Sequence, residues 1–206
     1  MQPKIDRVYS SPFYRCLQTI NGLADSLDLE IYGENGFGEW YGRTRDSHPR
    51  AAPPTILKSF FRRVKDDYEP ITVPSIQGET LDELHQRAET VLQKMIDICN
   101  AEAREIKTVL ICAHAATVIA LGRALVGDAS FDVRTGTCSI GLYESRGTDN
   151  KVGMWECKLN GFTEHLQDGE ERHWSFEDGH YDFLDVQAYQ ARVDAQQGHS
   201  TAQNIT

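Results

Sequence analysis

The sequence contains a strand-to-helix transition at Thr108-Val-Leu-Ile-Cys-Ala-His114-Ala-Ala-Thr-Val-Ile-Ala-Leu-Gly-Arg-Ala-Leu125. The run from Val109 to Ala113 is apolar at every position, which predicts a parallel strand covered on both faces. The residues that follow repeat apolar side chains at helical spacing, which predicts a helix. His114 is therefore expected at the carboxyl end of a strand, where open α/β sheets bind ligands, and at a helix start, which attracts anions.

A second stretch near the N-terminus, Ile5-Asp-Arg-Val-Tyr-Ser10-Ser-Pro-Phe-Tyr-Arg15-Cys-Leu-Gln-Thr19, repeats this design. A short β-prone run leads through a Ser-Ser-Pro corner into a predicted helix with Arg15 in its first turn. A cation there opposes the helix dipole by about 0.3–1 kcal/mol, which favours a role in pairing with an anion. Taken singly, His114 also fits a hydrogen-bonded strand-end histidine, and Arg15 a surface arginine. Together the two transitions predict one phosphate pocket.

A glycine-rich loop from Gly33 to Gly42 carries Glu39, Trp40 and Tyr41. Glu39 is the candidate general acid, because a carboxyl group beside an aromatic wall can have its pKa raised toward the working range. A solvated loop glutamate is the alternative interpretation. The proline-containing segment from residue 43 to residue 77 is interpreted as an insertion that caps the pocket and sets substrate choice.

The longest predicted helix spans Thr80 to Arg104, where apolar residues recur three and four positions apart. Thr80 is expected to cap its start, with Glu83 completing a capping box. Glu79 and Thr80 are candidates for the border of the pocket, although capping alone accounts for the pair. Arg87 is interpreted as a surface residue.

Two motifs resemble those of the histidine phosphatase superfamily, whose members have a phosphoglycerate-mutase-like fold. The segment from Ser10 to Thr19 resembles the superfamily motif SSPxxRxxQT, and Ala113-His114-Ala115 resembles its second histidine motif. Further segments resemble the phosphatase-like subunit of the fungal RNA polymerase III transcription factor C and its single-domain fungal relatives: Gly36–Tyr41, Gly78–Thr80, Gly136–Ile140 and Trp155–Trp174. The resemblance covers nearly all of residues 5–176.

The resemblance implies a three-layer α/β sandwich with a mostly parallel sheet. Residues 1–176 form the expected domain, and residues 177–206 form a polar C-terminal tail. In the implied chemistry of a metal-independent phosphomonoesterase, an upstream histidine attacks phosphorus and water then cleaves the phosphohistidine. No cofactor and no metal are expected.

The site residues that the resemblance implies are of three kinds. The implied catalytic residues are Arg15, Glu39 and His114, with Glu39 protonating the leaving oxygen. The implied phosphate-binding residues are Arg15, His114 and Ala115. The expected border of the pocket consists of Ser11, Trp40, Glu79 and Thr80.

The chain departs from the superfamily pattern at the nucleophile, which belongs to an Arg-His-Gly motif at the end of the first strand. No histidine precedes the Ser10 corner, and Arg-His-Gly occurs nowhere in the 206 residues. The chain thus resembles the family without its first strand and helix, so the strands at Ile5–Ser10 and Thr108–Ala113 are expected to lack a shared neighbour. It is expected to bind phosphate without turning over esters. The alternative function is a non-catalytic protein-interaction subunit of the transcription factor C complex.

Composition restricts the partners. A net charge of −10 argues against direct binding of nucleic acid, and five scattered cysteines fit reduced thiols in the cytoplasm or nucleus. The chain has no apolar run of about 18 residues, so no membrane association is expected. It also has no Walker loop, no G-x-S-x-G elbow and no Cys-x₅-Arg motif. The expected partners are a phosphorylated small molecule or phosphoprotein substrate, or protein subunits of a transcription complex.

Overall fold

The computed structural model describes residues 4–43, 48–148 and 150–176. The chain divides into two compact units, residues 1–173 and residues 174–206, and the elements below belong to the first. The predicted tail from residue 177 onward lies outside the described residues.

In the described part of the chain, three strands are interspersed with helices, and a pair of strands follows the last of these helices. The strands are β1 (Arg7–Ser10), β2 (Ile31–Gly33), β3 (Val109–Cys112), β4 (Ile140–Ser145) and β5 (Trp155–Phe162). The helices are α1 (Tyr14–Leu27), α2 (Pro54–Phe60), α3 (Leu81–Ala101) and α4 (Ala115–Val126), with a short 3₁₀ helix at Asn35–Phe37.

The main sheet is parallel and three-stranded, in the order β2-β1-β3. Its central strand, β1, is buried at all four positions. No strand lies between β1 and β3, as expected, but their facing edges are not left unpaired, because the two strands pair directly from Arg7–Val109 to Ser10–Cys112. The N–H of Ser11 extends this pairing by donating to the carbonyl of Cys112 at 2.8 Å. The facing backbone groups of the two strands are therefore satisfied within the chain.

The burial of β3 also differs from the prediction. All four residues of the strand are only half-buried, although the sequence predicts a strand covered on both faces. Leu110 and Cys112 pack against the core formed by β1 and α1. The other edge of β3 pairs with no strand among the described residues, which leaves the strand more open than its apolar sequence implies.

The long helix α3 supports the sheet and the loop that precedes it. Its buried side chains include Leu84, Ala88, Val91 and Met95, which recur at the predicted spacing. The predicted capping box is confirmed, because Thr80 accepts from the N–H of Glu83 while the Glu83 side chain accepts from the N–H of Thr80. The start of α3 is therefore fixed next to Glu79.

β4 and β5 pair as an antiparallel sheet separate from the main one. They pack against α4. Within the described residues, no helix combines the length and apolar character needed to cross a membrane.

Candidate functional site

The site lies where the carboxyl ends of β1 and β3 stand side by side. Ser10, the last residue of β1, is paired with Cys112, the last residue of β3. Each strand leads within a few residues into a helix, α1 or α4. Arg15 lies in the first turn of α1 and His114 immediately precedes α4. The two transitions thus deliver both residues to the same sheet edge.

Arg15, Glu39 and His114 meet at this edge. Nη2 of Arg15 lies 2.9 Å from Nδ1 of His114 and 3.0 Å from Oε2 of Glu39. The same carboxylate oxygen lies 3.3 Å from Nδ1 of His114. The predicted convergence of Arg15 and His114 is confirmed, and the glycine-rich loop adds Glu39. We refer to these three residues as the triad.

His114 is held on both ring nitrogens in a buried position, with 6% of the residue exposed. Its Nε2 lies 2.8 Å from the hydroxyl oxygen of Ser11. The ring of Phe13 packs edge-on against the imidazole, with 5.4 Å between centroids. Nδ1 accepts from Arg15 when unprotonated and donates to Glu39 when protonated, so both charge states of the ring have a partner.

The electrostatics of the triad favour an ion pair between His114 and Glu39. Burial disfavours the imidazolium, but the hydrogen bond with Cys16 and the Glu39 carboxylate outweigh burial and raise the pKa of His114 above its ordinary value. Burial would likewise raise the pKa of Glu39, but hydrogen bonding and charge attraction to His114, the N–H of Trp40 and the charge of Arg15 together lower it.

The prediction that an aromatic wall raises the pKa of Glu39 is wrong in this structure. Trp40 contributes a hydrogen-bond donor, because its backbone N–H donates to Oε1 of Glu39 at 3.0 Å. The other carboxylate oxygen faces Arg15 and His114. Glu39 is therefore a carboxylate, and its Oε2 lies between the side-chain nitrogens of Arg15 and His114.

The remaining predicted residues separate into two groups. Ser11 contacts the triad directly, and Ala115 is the first residue of α4. Trp40 adjoins Glu39, and its indole N–H donates to the carbonyl oxygen of Glu79 at 3.0 Å. Glu79 uses its carboxylate to pair with a buried arginine, and Thr80 uses its hydroxyl to cap α3. These last two residues support the loop and the helix start.

Arg87 is the arginine that pairs with Glu79, and its predicted surface position is wrong. Only 6% of Arg87 is exposed. Its Nε and Nη2 both donate to the carboxylate of Glu79 at 2.8 Å, and Nη1 donates to the carbonyl oxygen of Gly36 at 2.6 Å. The helical spacing could have predicted this burial, because position 87 lies three residues after Leu84 and four before Val91, on the buried face of α3.

An apolar cavity of about 290 Å³ opens beside the triad. The residues that line it include Phe13, Tyr14, Arg15, Tyr41, Pro49, Arg50, Ile56, Leu57 and Phe60. Phe13 joins the cavity to the triad, because its ring contacts His114 and lies 5.1 Å from the guanidinium carbon of Arg15. Part of the segment predicted to cap the pocket, including α2, thus forms a wall next to Arg15.

No group of three or more histidine, cysteine, aspartate or glutamate side chains that could hold a metal ion occurs in the described part of the chain.

Comparison with known proteins identifies the family of the chain. Residues 1–158 match the model of the histidine phosphatase superfamily, branch 1. The Saccharomyces cerevisiae transcription factor tau 55 kDa subunit is 31% identical over 200 residues, which are 84% of this chain and 46% of that protein. The Drosophila melanogaster ecdysteroid-phosphate phosphatase is 28% identical over 138 residues, covering 61% of this chain and 17% of that protein. The chain therefore spans less than half the length of either relative.

Among solved structures, the ecdysone phosphate phosphatase, EPPase, from Bombix mori in complex with tungstate superposes with a TM-score of 0.58. It is 21% identical and the match covers 84% of this chain and 69% of that chain. At this identity the likeness speaks for the fold alone, and it confirms the predicted phosphoglycerate-mutase-like α/β architecture.

Proposed function

The chain belongs to branch 1 of the histidine phosphatase superfamily, and from this membership we propose that it is a phosphatase-like domain whose pocket binds a phosphate group. The observation that carries the proposal is the 2.9 Å approach of the Arg15 guanidinium to the His114 imidazole. Two nitrogen-containing side chains that can donate to an anion are brought this close at a sheet edge, and a carboxylate bridges them. A phosphate oxygen in place of Oε2 of Glu39 makes the same two contacts.

The proposed roles follow from the position of each residue. Arg15 and protonated His114 bind the phosphate oxygens, and Ala115 contributes its N–H at the positive end of α4. Glu39 is the proposed acid for the leaving oxygen, and its pKa is lowered by its pairing with His114 and Arg15. A phosphate dianion that takes over these partners places negative charge beside Glu39, which raises its pKa and favours the acid form.

The cavity beside Arg15 supports a ligand that is more than inorganic phosphate. Its wall is formed largely by aromatic and aliphatic side chains, and Phe13 connects it to His114. The proposed substrate class is therefore a phosphorylated small molecule or phosphoprotein side chain with an apolar group next to the phosphate.

We expect Glu39→Gln to tighten the binding of inorganic phosphate about 2- to 5-fold. The substitution removes a negative charge from the anion site, and the gain is limited to about 0.5–1 kcal/mol because Arg15 is half-exposed. The comparison is made by isothermal titration calorimetry at about pH 5.5, one unit below the ordinary pKa of histidine, where the charge of His114 depends least on Glu39. Weaker binding by Glu39→Gln would contradict a bridging carboxylate that competes with phosphate.

We expect the 206-residue chain not to turn over phosphate esters, because it contains no Arg-His-Gly motif. Arg15, Glu39 and His114 can polarise an ester, but without the nucleophile the help that remains is about 10³–10⁴ over water. The test is an assay on a generic aryl phosphate beside His114→Ala and beside a version extended upstream by an Arg-His-Gly strand. Turnover by the unextended chain that disappears in His114→Ala would make His114 the nucleophile and overturn the proposed roles.

A second proposed function is that of a protein-interaction subunit in a transcription complex, acting in the nucleus. It is supported by the similarity to a transcription factor subunit over 84% of the chain. The net charge of −10 favours protein partners over direct contact with DNA or RNA. Co-purification with other subunits that survives Arg15→Ala would favour this function, and loss of the complex with that variant would tie assembly to the phosphate site.

A further inference from the structure

We infer that Arg87 is a positioning residue, which fixes the loop from Gly36 to Trp40 so that Glu39 faces Arg15 and His114. The inference rests on the proposed function of the triad. It concerns a buried arginine on α3 whose guanidinium contacts the backbone on the N-terminal side of Glu39. It assigns to Arg87 control over the charge state of the site.

The guanidinium of Arg87 binds two kinds of partner at once. Nε and Nη2 bind the carboxylate of Glu79, which is also buried. Nη1 donates to the carbonyl oxygen of Gly36 at 2.6 Å and to that of Gly38 at 3.3 Å. Gly38 is the residue directly before Glu39, so the guanidinium fixes the peptide that carries the Glu39 side chain.

The other side of the loop is bound to the backbone of Glu79. The indole N–H of Trp40 donates to the backbone carbonyl of Glu79 at 3.0 Å. Glu39 therefore lies between two anchored residues: Gly38 is held by the Arg87 guanidinium and Trp40 by the backbone carbonyl of Glu79. These contacts hold the backbone on both sides of Glu39 and so direct its side chain toward Arg15 and His114.

Thr117 connects the loop to the helix that carries His114. Its hydroxyl donates to the carbonyl oxygen of Gly38 at 2.7 Å, and the residue is fully buried. Thr117 lies three residues after His114, on the first turn of α4. Helices α3 and α4 thus hold the same carbonyl group, which sets the distance between Glu39 and His114.

The chemistry of arginine suits this task. A planar guanidinium presents five donors in a fixed fork, so it can bind a carboxylate along one edge and a carbonyl oxygen along another. A lysine ammonium at position 87 can still neutralise Glu79, but it cannot maintain both sets of contacts. A buried ion pair adds little stability compared with apolar side chains packed in its place. The contacts of Arg87 with the loop therefore suggest a role for the pair in positioning the loop.

The test is the titration of His114 in Arg87→Lys, followed by NMR of histidine-labelled protein. If the loop releases Glu39, the pKa of His114 falls toward its value in Glu39→Gln, because the imidazolium loses its carboxylate partner. Phosphate binding at about pH 5.5 then tightens about 2- to 5-fold, as expected for Glu39→Gln. The double variant Glu39→Gln/Arg87→Lys shows no further change. Thr117→Val, which keeps the shape and loses one donor, is expected to move the pKa of His114 in the same direction.

Arg7→Lys is the matched control, because Arg7 is also a buried arginine, 8% exposed, and pairs with Glu102 at 2.7 Å. It is expected to lower the melting temperature without moving the titration of His114. If Arg87→Lys and Thr117→Val also lower the melting temperature without moving the titration of His114, the inference is overturned and Arg87 has a structural role alone. If the unaltered chain binds no phosphate, the proposed function fails, while the titration of His114 still decides whether Arg87 acts through Glu39.

Discussion

Arg15→Ala is expected to weaken the binding of inorganic phosphate about 10- to 100-fold, with little change in the melting temperature. Arg15 supplies a charge-assisted hydrogen bond to the anion, worth about 1.5–3 kcal/mol. Its side chain is 56% exposed, so its removal leaves no cavity in the core. Calorimetric titration with phosphate measures the loss.

Arg62→Ala provides the control for this experiment. Arg62 is also an exposed cation paired with a carboxylate, that of Asp25, and its removal changes the net charge by the same amount. Phosphate affinity is expected to be unchanged in that variant. An equal loss in both variants would mean that phosphate responds to overall charge, and the assignment of Arg15 to a binding site would be wrong.

Arg87→Met is expected to lower the free energy of unfolding by about 3–5 kcal/mol. The substitution leaves the carboxylate of Glu79 buried without its partner, which costs far more than the loss of an exposed ion pair. The same substitution made in a Glu79→Gln background is expected to cost less, because no uncompensated charge remains. Urea unfolding of the two single variants, the double variant and the unaltered chain gives the coupling between the two residues.

A loss below about 1 kcal/mol in Arg87→Met, as for exposed pairs, would contradict the buried position of the pair. Equal costs in the two backgrounds would likewise show that Glu79 and Arg87 are not coupled.

The convergence of Arg15 and His114 could be predicted because it depends on local order along the chain. Each residue follows a short apolar strand and begins or precedes a helix, and the carboxyl ends of parallel strands meet at one edge of the sheet. The capping box at Thr80 is predictable for the same reason, since its two hydrogen bonds join residues three positions apart.

The pairing of β1 with β3 could not be read from the sequence in the same way. The resemblance to a larger family places another strand between them, whereas the backbone groups of Arg7–Ser10 pair directly with those of Val109–Cys112. Strand order depends on contacts between segments about 100 residues apart, and neither segment's own pattern specifies its neighbour.

The sequence did not predict the lowered pKa of Glu39 or the buried position of Arg87, because these depend on a backbone donor and on partners distant in sequence. Trp40 predicts an apolar wall for Glu39, yet its N–H is a donor to the carboxylate. Arginine is a residue type typical of the surface, but position 87 lies on the buried face of α3. The carbonyl groups of Gly36 and Gly38 that Arg87 contacts lie about 50 positions away in sequence. Periodicity predicts where such a side chain points, while its partners depend on the fold of the loop.

We propose that Arg15 and His114 form one oxyanion site, in which the Glu39 carboxylate bridges the two side chains. The measurement that tests it is a crystal structure of the chain with tungstate, an oxyanion whose metal scatters anomalously. We expect a bound tungstate whose oxygens lie about 2.7–3.2 Å from side-chain nitrogens of both Arg15 and His114, with Oε2 of Glu39 displaced from Arg15. Tungstate bound elsewhere, with Glu39 still bridging Arg15 and His114, would contradict it.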